Sequence, residues 1–116
     1  MKRLARSFKH AIRGILFTLK GERNFQIEIA VMAVVLVSAI WFNLTQTENI
    51  ILVLAVALVL ATELINTAVE RVMDILKPRV HPYARVIKDV MAGAVFVVSL
   101  GALLIGIVIF FPYFFK

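Results

Sequence analysis

The chain has 116 residues, 62% of them hydrophobic, with a mean hydropathy of +0.97, a net charge of +6 and no cysteine. A soluble domain of this size cannot bury so large an apolar share, so lipid has to cover most of it, and the length leaves room for one domain, 1–116. The missing cysteine excludes disulfides, thiolate metal sites and Cys nucleophiles.

The N-terminal MKRLARSFKHAIRG has scattered charges, no clean apolar core and no small-residue cleavage site, so it does not read as a removable signal peptide. Residues 3–20 read instead as an amphipathic helix. At about 100° per residue, Leu4, Ala5, Phe8, Ile12, Ile15, Leu16 and Leu19 share one face. Arg3, Arg6, Lys9, His10, Arg13 and Lys20 share the other, and Phe17 falls off the apolar face. This is the pattern of a helix lying in a membrane surface with its basic side toward head groups and water. A soluble amphipathic helix is the plain alternative.

Three apolar segments follow, at about 27–42, 50–69 and 86–111. The first carries Trp41 near its end, where an interfacial aromatic anchor belongs. The second opens with IILVLAVALVLAT and reaches the roughly 20 residues of a span only by including Glu63 and Asn66. The third is long enough even with Lys88 and Asp89 left at its edge, and Pro112 with its aromatic neighbours is expected to close it. The runs lack a period of two and are too few for a β-barrel. The fold expected is therefore all-α, with one surface helix and three transmembrane helices.

Orientation follows from the basic residues. Seven Lys and Arg lie between Lys2 and Arg23, and five lie between Arg71 and Lys88, whereas the connector 43–49 has none. The positive-inside rule then puts the N-terminus and the 75–85 loop in the cytoplasm. It also assigns the basic charge to a membrane surface rather than to nucleic acid.

The second segment runs directly into ELINTAVERVMD. Asn66, Glu70 and Asp74 follow Glu63 at offsets of 3, 7 and 11, so the four share one stripe of a helix that climbs from the membrane interior into the cytoplasm. Glu63 lies roughly 20 Å along its span, near the inner edge of the hydrocarbon core. Glu22 and Glu28, in GERNFQIE, and Lys88 and Asp89 reach the same level. Two carboxylates from different helices suit Mg²⁺, which sits with phosphates, and a lysine beside them can hold a phosphate. A carboxylate slightly deeper, where water is scarce, can serve as a general base. Together these are the parts of a phosphoryl-transfer site. The bland alternative is that Asp74, Arg71 and Asp89 snorkel to water or pair with one another. Proton or cation transport would also use a buried Glu, but no acid or amide continues a pathway into the outer halves of the spans.

ELINTAVERVMD followed by IKDVMAGAV strongly resembles the small prokaryotic lipid kinases, the diacylglycerol kinase and undecaprenol kinase family. The family signature reads Glu-x-x-Asn-[Thr/Ser]-Ala-[Ile/Val]-Glu-x-x-x-Asp, then Lys-Asp about fourteen residues on. ERNF and RLARSFKHAIRG extend the likeness over nearly the whole chain. The resemblance implies Glu63 as general base toward the lipid hydroxyl, and Glu22 and Glu70 as the pair holding Mg²⁺ on ATP. It implies Lys88 at the transferred phosphate, Asp89 beside it in the nucleotide site, Asn66 packed among these groups and Asp74 as the last acid of the motif. Arg3, His10 and His81 fall where the family approaches the nucleotide, although a surface-helix residue and a loop residue account for them as well. The likeness also implies a homotrimer with active sites shared between subunits, in the bacterial inner membrane. Neither a P-loop nor a protein-kinase motif is present, as the family leads one to expect.

After Lys88-Asp89 the chain reads VMAGAV, where the proteobacterial enzymes have Gly then Ser at Met91 and Ala92. That version and the ERNF opening favour the Gram-positive branch, whose lipid is undecaprenol. Glu28 stands where that branch often has His, which keeps diacylglycerol as the alternative. Glu63, Glu28 and Ala92 are thus the candidates for contact with the lipid. A transporter or a non-catalytic adaptor are the readings outside enzymology. Gly93, Gly101 and Gly106 are expected at close helix contacts in a trimer. Pro78, His81 and Pro82 are expected to shape the inner turn, and Trp41 and FFPYFFK to form an aromatic belt.

Overall fold

The structure, a computed structural model, describes residues 1–76 and 82–115. It is all helical: α1 (Lys2–Gly21), α2 (Arg23–Trp41), α3 (Gln46–Leu76) and α4 (Tyr83–Phe114). Helices α2, α3 and α4 are long and apolar enough to cross a membrane. Each outruns its expected apolar segment at one end or both. Hydropathy marks only the stretch that lipid can cover, whereas the helix continues as long as its backbone pairs with itself. The 31 residues of α3 measure about 46 Å, well over the roughly 30 Å of a hydrocarbon core.

A single extended residue, Glu22 (φ −119°, ψ 114°), separates α1 from α2. Its N–H donates to Thr18 O at 2.9 Å, and Gln26 Nε2 donates to Leu19 O at 2.8 Å, so the corner is pinned from both sides. Phe17, which departs from the apolar face of α1, places its ring 5.5 Å from the guanidinium carbon of Arg71 on α3. The remaining apolar face of α1, including Leu4, Phe8, Ile12 and Leu16, is exposed.

At the opposite end Asn43 turns the chain with φ 54°, a left-handed conformation that asparagine tolerates. Thr45 and Glu48 then start α3 with reciprocal bonds. Thr45 N–H donates to Glu48 Oε1 at 3.0 Å, and Glu48 N–H donates to Thr45 Oγ1 at 3.2 Å. The hydroxyl of Tyr113 donates to the same Glu48 Oε1 at 2.6 Å, tying α4 to α3. Phe42 packs edge-on against Phe110 and Phe114, with centroids 6.2 and 4.9 Å away. Ala39, Leu44, Leu52 and Ile109 form the buried cluster beneath them.

Two expectations need correction. Pro112 does not close the third helix; α4 runs through it to Phe114, leaving the carbonyl of Val108 without its ladder donor. The C-terminal aromatics are more than a belt, because Phe110, Tyr113 and Phe114 pack on Phe42. Trp41 does remain exposed. At Gly93, Gly101 and Gly106, expected at contacts between copies, a Cβ would meet nothing within 4 Å of its own chain.

Candidate active site

The polar residues gather at the other end of the bundle from the aromatic cluster. Helix α3 carries Glu63, Asn66, Glu70 and Asp74, the corner supplies Glu22, α2 supplies Glu28 and α4 supplies Lys88. Glu63 is buried at 3% exposure. It lies within electrostatic range of Glu70 and Glu22, and Glu28 lies within range of Glu63. Oε2 of Glu28 is buried with no hydrogen-bond partner. One turn along α3 the buried hydroxyl of Thr67 donates to the carbonyl of Glu63 at 3.1 Å, satisfying itself on its own helix.

Nearer the end of α3, Asn66 Nδ2 donates to Glu70 Oε1 at 3.3 Å. Beyond it runs an alternating chain of charges. Arg71 Nη2 lies 3.0 Å from Glu22 Oε1, Arg71 Nη1 lies 3.7 Å from Asp74 Oδ2, and Lys88 Nζ lies 3.8 Å from Asp74 Oδ1. Side chains here are partly exposed, 22% for Glu22 and about 40–48% for the others. Each pair therefore adds little to stability by itself. Their effect is to fix where the carboxylates stand.

The site has two levels. Glu63 and Glu28 form the deeper one, with apolar neighbours; Glu22, Asn66, Glu70, Arg71, Asp74 and Lys88 form the shallower one. An apolar groove of about 650 Å³ begins at Glu28 and runs between α2, α3 and α4 past Val31, Val59, Leu52 and Gly106. The deeper level can accept a proton from a hydroxyl whose carbon chain occupies apolar surroundings. The shallower level offers anionic and cationic groups to a charged reactant from water.

Glu22 and Glu70 come from separate elements and offer hard oxygen donors. Among the described residues no group of three or more His, Asp or Glu could hold a metal. A pair that leaves most coordination positions open suits a cation such as Mg²⁺, which keeps waters and phosphate oxygens around it. A closed protein cage would not. Glu22 and Glu70 have the donor chemistry that such an ion takes.

Some expected residues stay apart. Arg3 and His10 are exposed on α1, about 28 and 18 Å from Glu22 by helical rise. Asp89 and Ala92 are exposed on α4, and His81 lies outside the described residues. Conversely, Arg71 is a central member of the charge chain: the expected pairing with Asp74 is present, and the pair with Glu22 was not foreseen. Its signals were its place directly after Glu70 and the misplacement of Phe17, the ring it faces.

The family described as prokaryotic diacylglycerol kinase matches residues 9–110. An undecaprenol kinase of Bacillus subtilis (strain 168) is 38% identical over 112 residues, covering 97% of this chain and 91% of that protein. A diacylglycerol kinase of Synechocystis is 33% identical over 86% of this chain and 58% of its own. One of Haemophilus influenzae is 30% identical, with coverage of 81% and 80%.

Proposed function

The chain belongs to the prokaryotic diacylglycerol kinase family, and on that footing we propose that it phosphorylates undecaprenol with ATP at the cytoplasmic face of the bacterial inner membrane. The observation that carries the reaction is the buried Glu63 inside the apolar helix α3, with Glu70 two turns nearer water on the same helix and Glu22 and Lys88 supplied to that side by the corner and α4. ATP cannot enter the bilayer and the lipid tail cannot leave it, so transfer has to occur where the two levels meet. The choice of undecaprenol rests on the Bacillus relative, which matches almost the whole chain.

In this mechanism Glu63 takes the proton of the lipid hydroxyl. The oxygen forms a bond to the γ-phosphorus as the bond from that phosphorus to the β,γ-bridging oxygen breaks, and ADP departs with the electron pair. Protonated Glu63 returns its proton to water. Mg²⁺ held by Glu22 and Glu70 would neutralise charge on the phosphate oxygens. Asn66 holds Glu70 in place, Asp74 holds Lys88, and Lys88 steadies the γ-phosphate, with Asp89 beside the nucleotide. Glu28, at the head of the apolar groove, faces the lipid, with Ala92 on the lipid-facing side of α4.

Helix α1 lies in the membrane surface, its exposed apolar residues in lipid. The apolar faces of α2 to α4 and the open glycines of α4 leave room for two further copies in a homotrimer. Diacylglycerol is the second reading, favoured by Glu28 and by the names of the Synechocystis and Haemophilus relatives. Transfer of labelled γ-phosphate from Mg·ATP to undecaprenol and to diacylglycerol, measured side by side in detergent, decides between them. Preference for undecaprenol supports the proposal, and preference for diacylglycerol replaces the lipid. Transfer to neither by folded protein overturns the kinase reading and directs attention to ion flux.

A further inference from the structure

We propose that Arg71 is the resting counter-ion of the metal site: its guanidinium holds Glu22 while the divalent cation is away and gives up that carboxylate when the cation binds. The inference rests on the metal role proposed above for Glu22.

Arg71 has a seat built from two helices, α1 and α3. The ring of Phe17 on α1 lies 5.5 Å from its guanidinium carbon. Gly21, the last residue of α1, lies beside it, where a Cβ would stand in ordinary contact 3.7 Å from Nη2. Asp74, one turn further along α3, takes Nη1 at 3.7 Å. From this seat Nη2 reaches Glu22 Oε1 at 3.0 Å, the shortest of the three ion pairs. Among the described residues, the Arg71–Glu22 bond is the ion pair that joins the corner to the acid ladder of α3.

Glu22, Glu28, Glu63 and Glu70 lie close enough for their charges to be felt from one to the next. An empty metal site therefore concentrates negative charge at the corner. A guanidinium on Glu22 offsets part of it. A divalent ion on the same carboxylate makes the guanidinium redundant and repels it. Arg71 can withdraw at small cost, because its side chain is already 41% exposed and keeps Phe17 and Asp74 as partners. Asp74 also stays neutralised throughout, since its other oxygen faces Lys88.

The test separates charge from geometry. Arg71→Gln retains a hydrogen-bond donor and removes the charge, whereas Arg71→Lys keeps the charge and loses the fork. Mn²⁺ binding to the full-length protein in detergent, with ADP present, is read by electron paramagnetic resonance of the free ion. A unit charge about 6 Å from a divalent ion in a water-like dielectric changes affinity about tenfold, so Arg71→Gln should bind Mn²⁺ about tenfold tighter than wild type. Arg71→Lys should stay close to wild type. Unchanged or weaker binding in Arg71→Gln overturns the proposal.

A measurement on the unmodified protein stands beside the variants. Solvent exchange of the Arg71 guanidinium protons, followed by nitrogen-15 spectroscopy, should accelerate when Mg²⁺ and ADP are added. Unaltered exchange at saturating Mg²⁺ also overturns the proposal, whatever the variants do. Glu22→Gln distinguishes the two readings. If it binds Mn²⁺ as wild type does, Glu22 is no ligand and the metal assignment falls with this inference. If it loses Mn²⁺ while Arg71→Gln is unaltered, only the role of Arg71 falls.

Discussion

Replacing Glu63 by Gln removes a carboxylate while keeping the shape of the side chain, and it should move activity and stability in different directions. A positioned general base contributes about 10²- to 10⁴-fold, equivalent to about 3–5 kcal/mol of barrier. Glu63 is 3% exposed, so water reaches it poorly as a substitute base, and the loss belongs at the upper end of that range. Stability has no reason to fall. If the carboxyl is neutral in the folded protein, an amide occupies the same space; if it is charged, the amide relieves repulsion from Glu70, Glu22 and Glu28. The assay is phosphate transfer from Mg·ATP alongside thermal loss of helicity in the same detergent. Turnover within tenfold of wild type would refute the base assignment. A drop of many degrees in unfolding temperature with activity retained would show that the carboxylate serves the fold instead.

Tyr113→Phe deletes the 2.6 Å bond to Glu48 and should lower the unfolding temperature, with turnover unchanged. Reduced turnover at constant stability would mean that the far end of the bundle communicates with the site. Asn66→Asp replaces the donor to Glu70 by a like charge and should slow transfer about tenfold to a hundredfold. Its Mg²⁺ activation curve should change while the KM for the lipid stays constant, and a change confined to the lipid KM would contradict the placement of Asn66. Chelation with EDTA should stop transfer, with Mg²⁺ or Mn²⁺ restoring it and Ca²⁺ doing so poorly, because Ca²⁺ prefers more ligands at longer distances. Transfer that persists in chelator would remove the metal from Glu22 and Glu70.

The parts of this arrangement that were legible in the sequence depend on one helix at a time. Offsets of 3, 7 and 11 put Asn66, Glu70 and Asp74 on the stripe of Glu63 wherever α3 lies, and the bond from Asn66 to Glu70 follows from that spacing. The three apolar helices followed from hydropathy in the same way. The Glu22–Arg71 pair did not, because it joins residues 49 apart and depends on the angle set by one extended residue between α1 and α2. Phe17 was visible as an exception on α1, but its partner belongs to another helix. The Thr45–Glu48 cap was readable from its T-x-x-E spacing and was overlooked beside the acid ladder. Pro112 misled for a different reason: a proline stops a helix only where the lost donor and the ring clash are not offset by packing, and here Phe110, Tyr113 and Phe114 pack around Phe42.

The same distribution explains how an apolar segment can end in a row of acids. Ring contacts and the α3 capping bonds gather at the Phe42 end, where Leu44, Leu52 and Ile109 are covered and Tyr113 ties α4 to Glu48. The Glu63 end combines buried side chains, Phe25 at 1% exposure with Thr18, Glu63, Thr67 and Met73, with ion pairs between partly exposed groups, which are individually weak. Six of the seven carboxylates of the chain, all but Glu48, lie on this side. The acid end is itself divided: Phe25, Glu63 and Thr67 are covered, whereas Arg71, Asp74 and Lys88 are partly exposed. That division is what a reaction between a lipid and a triphosphate requires. Glu63 can remain buried while the partly exposed Arg71 gives up Glu22 and keeps Asp74 as a charged reactant enters.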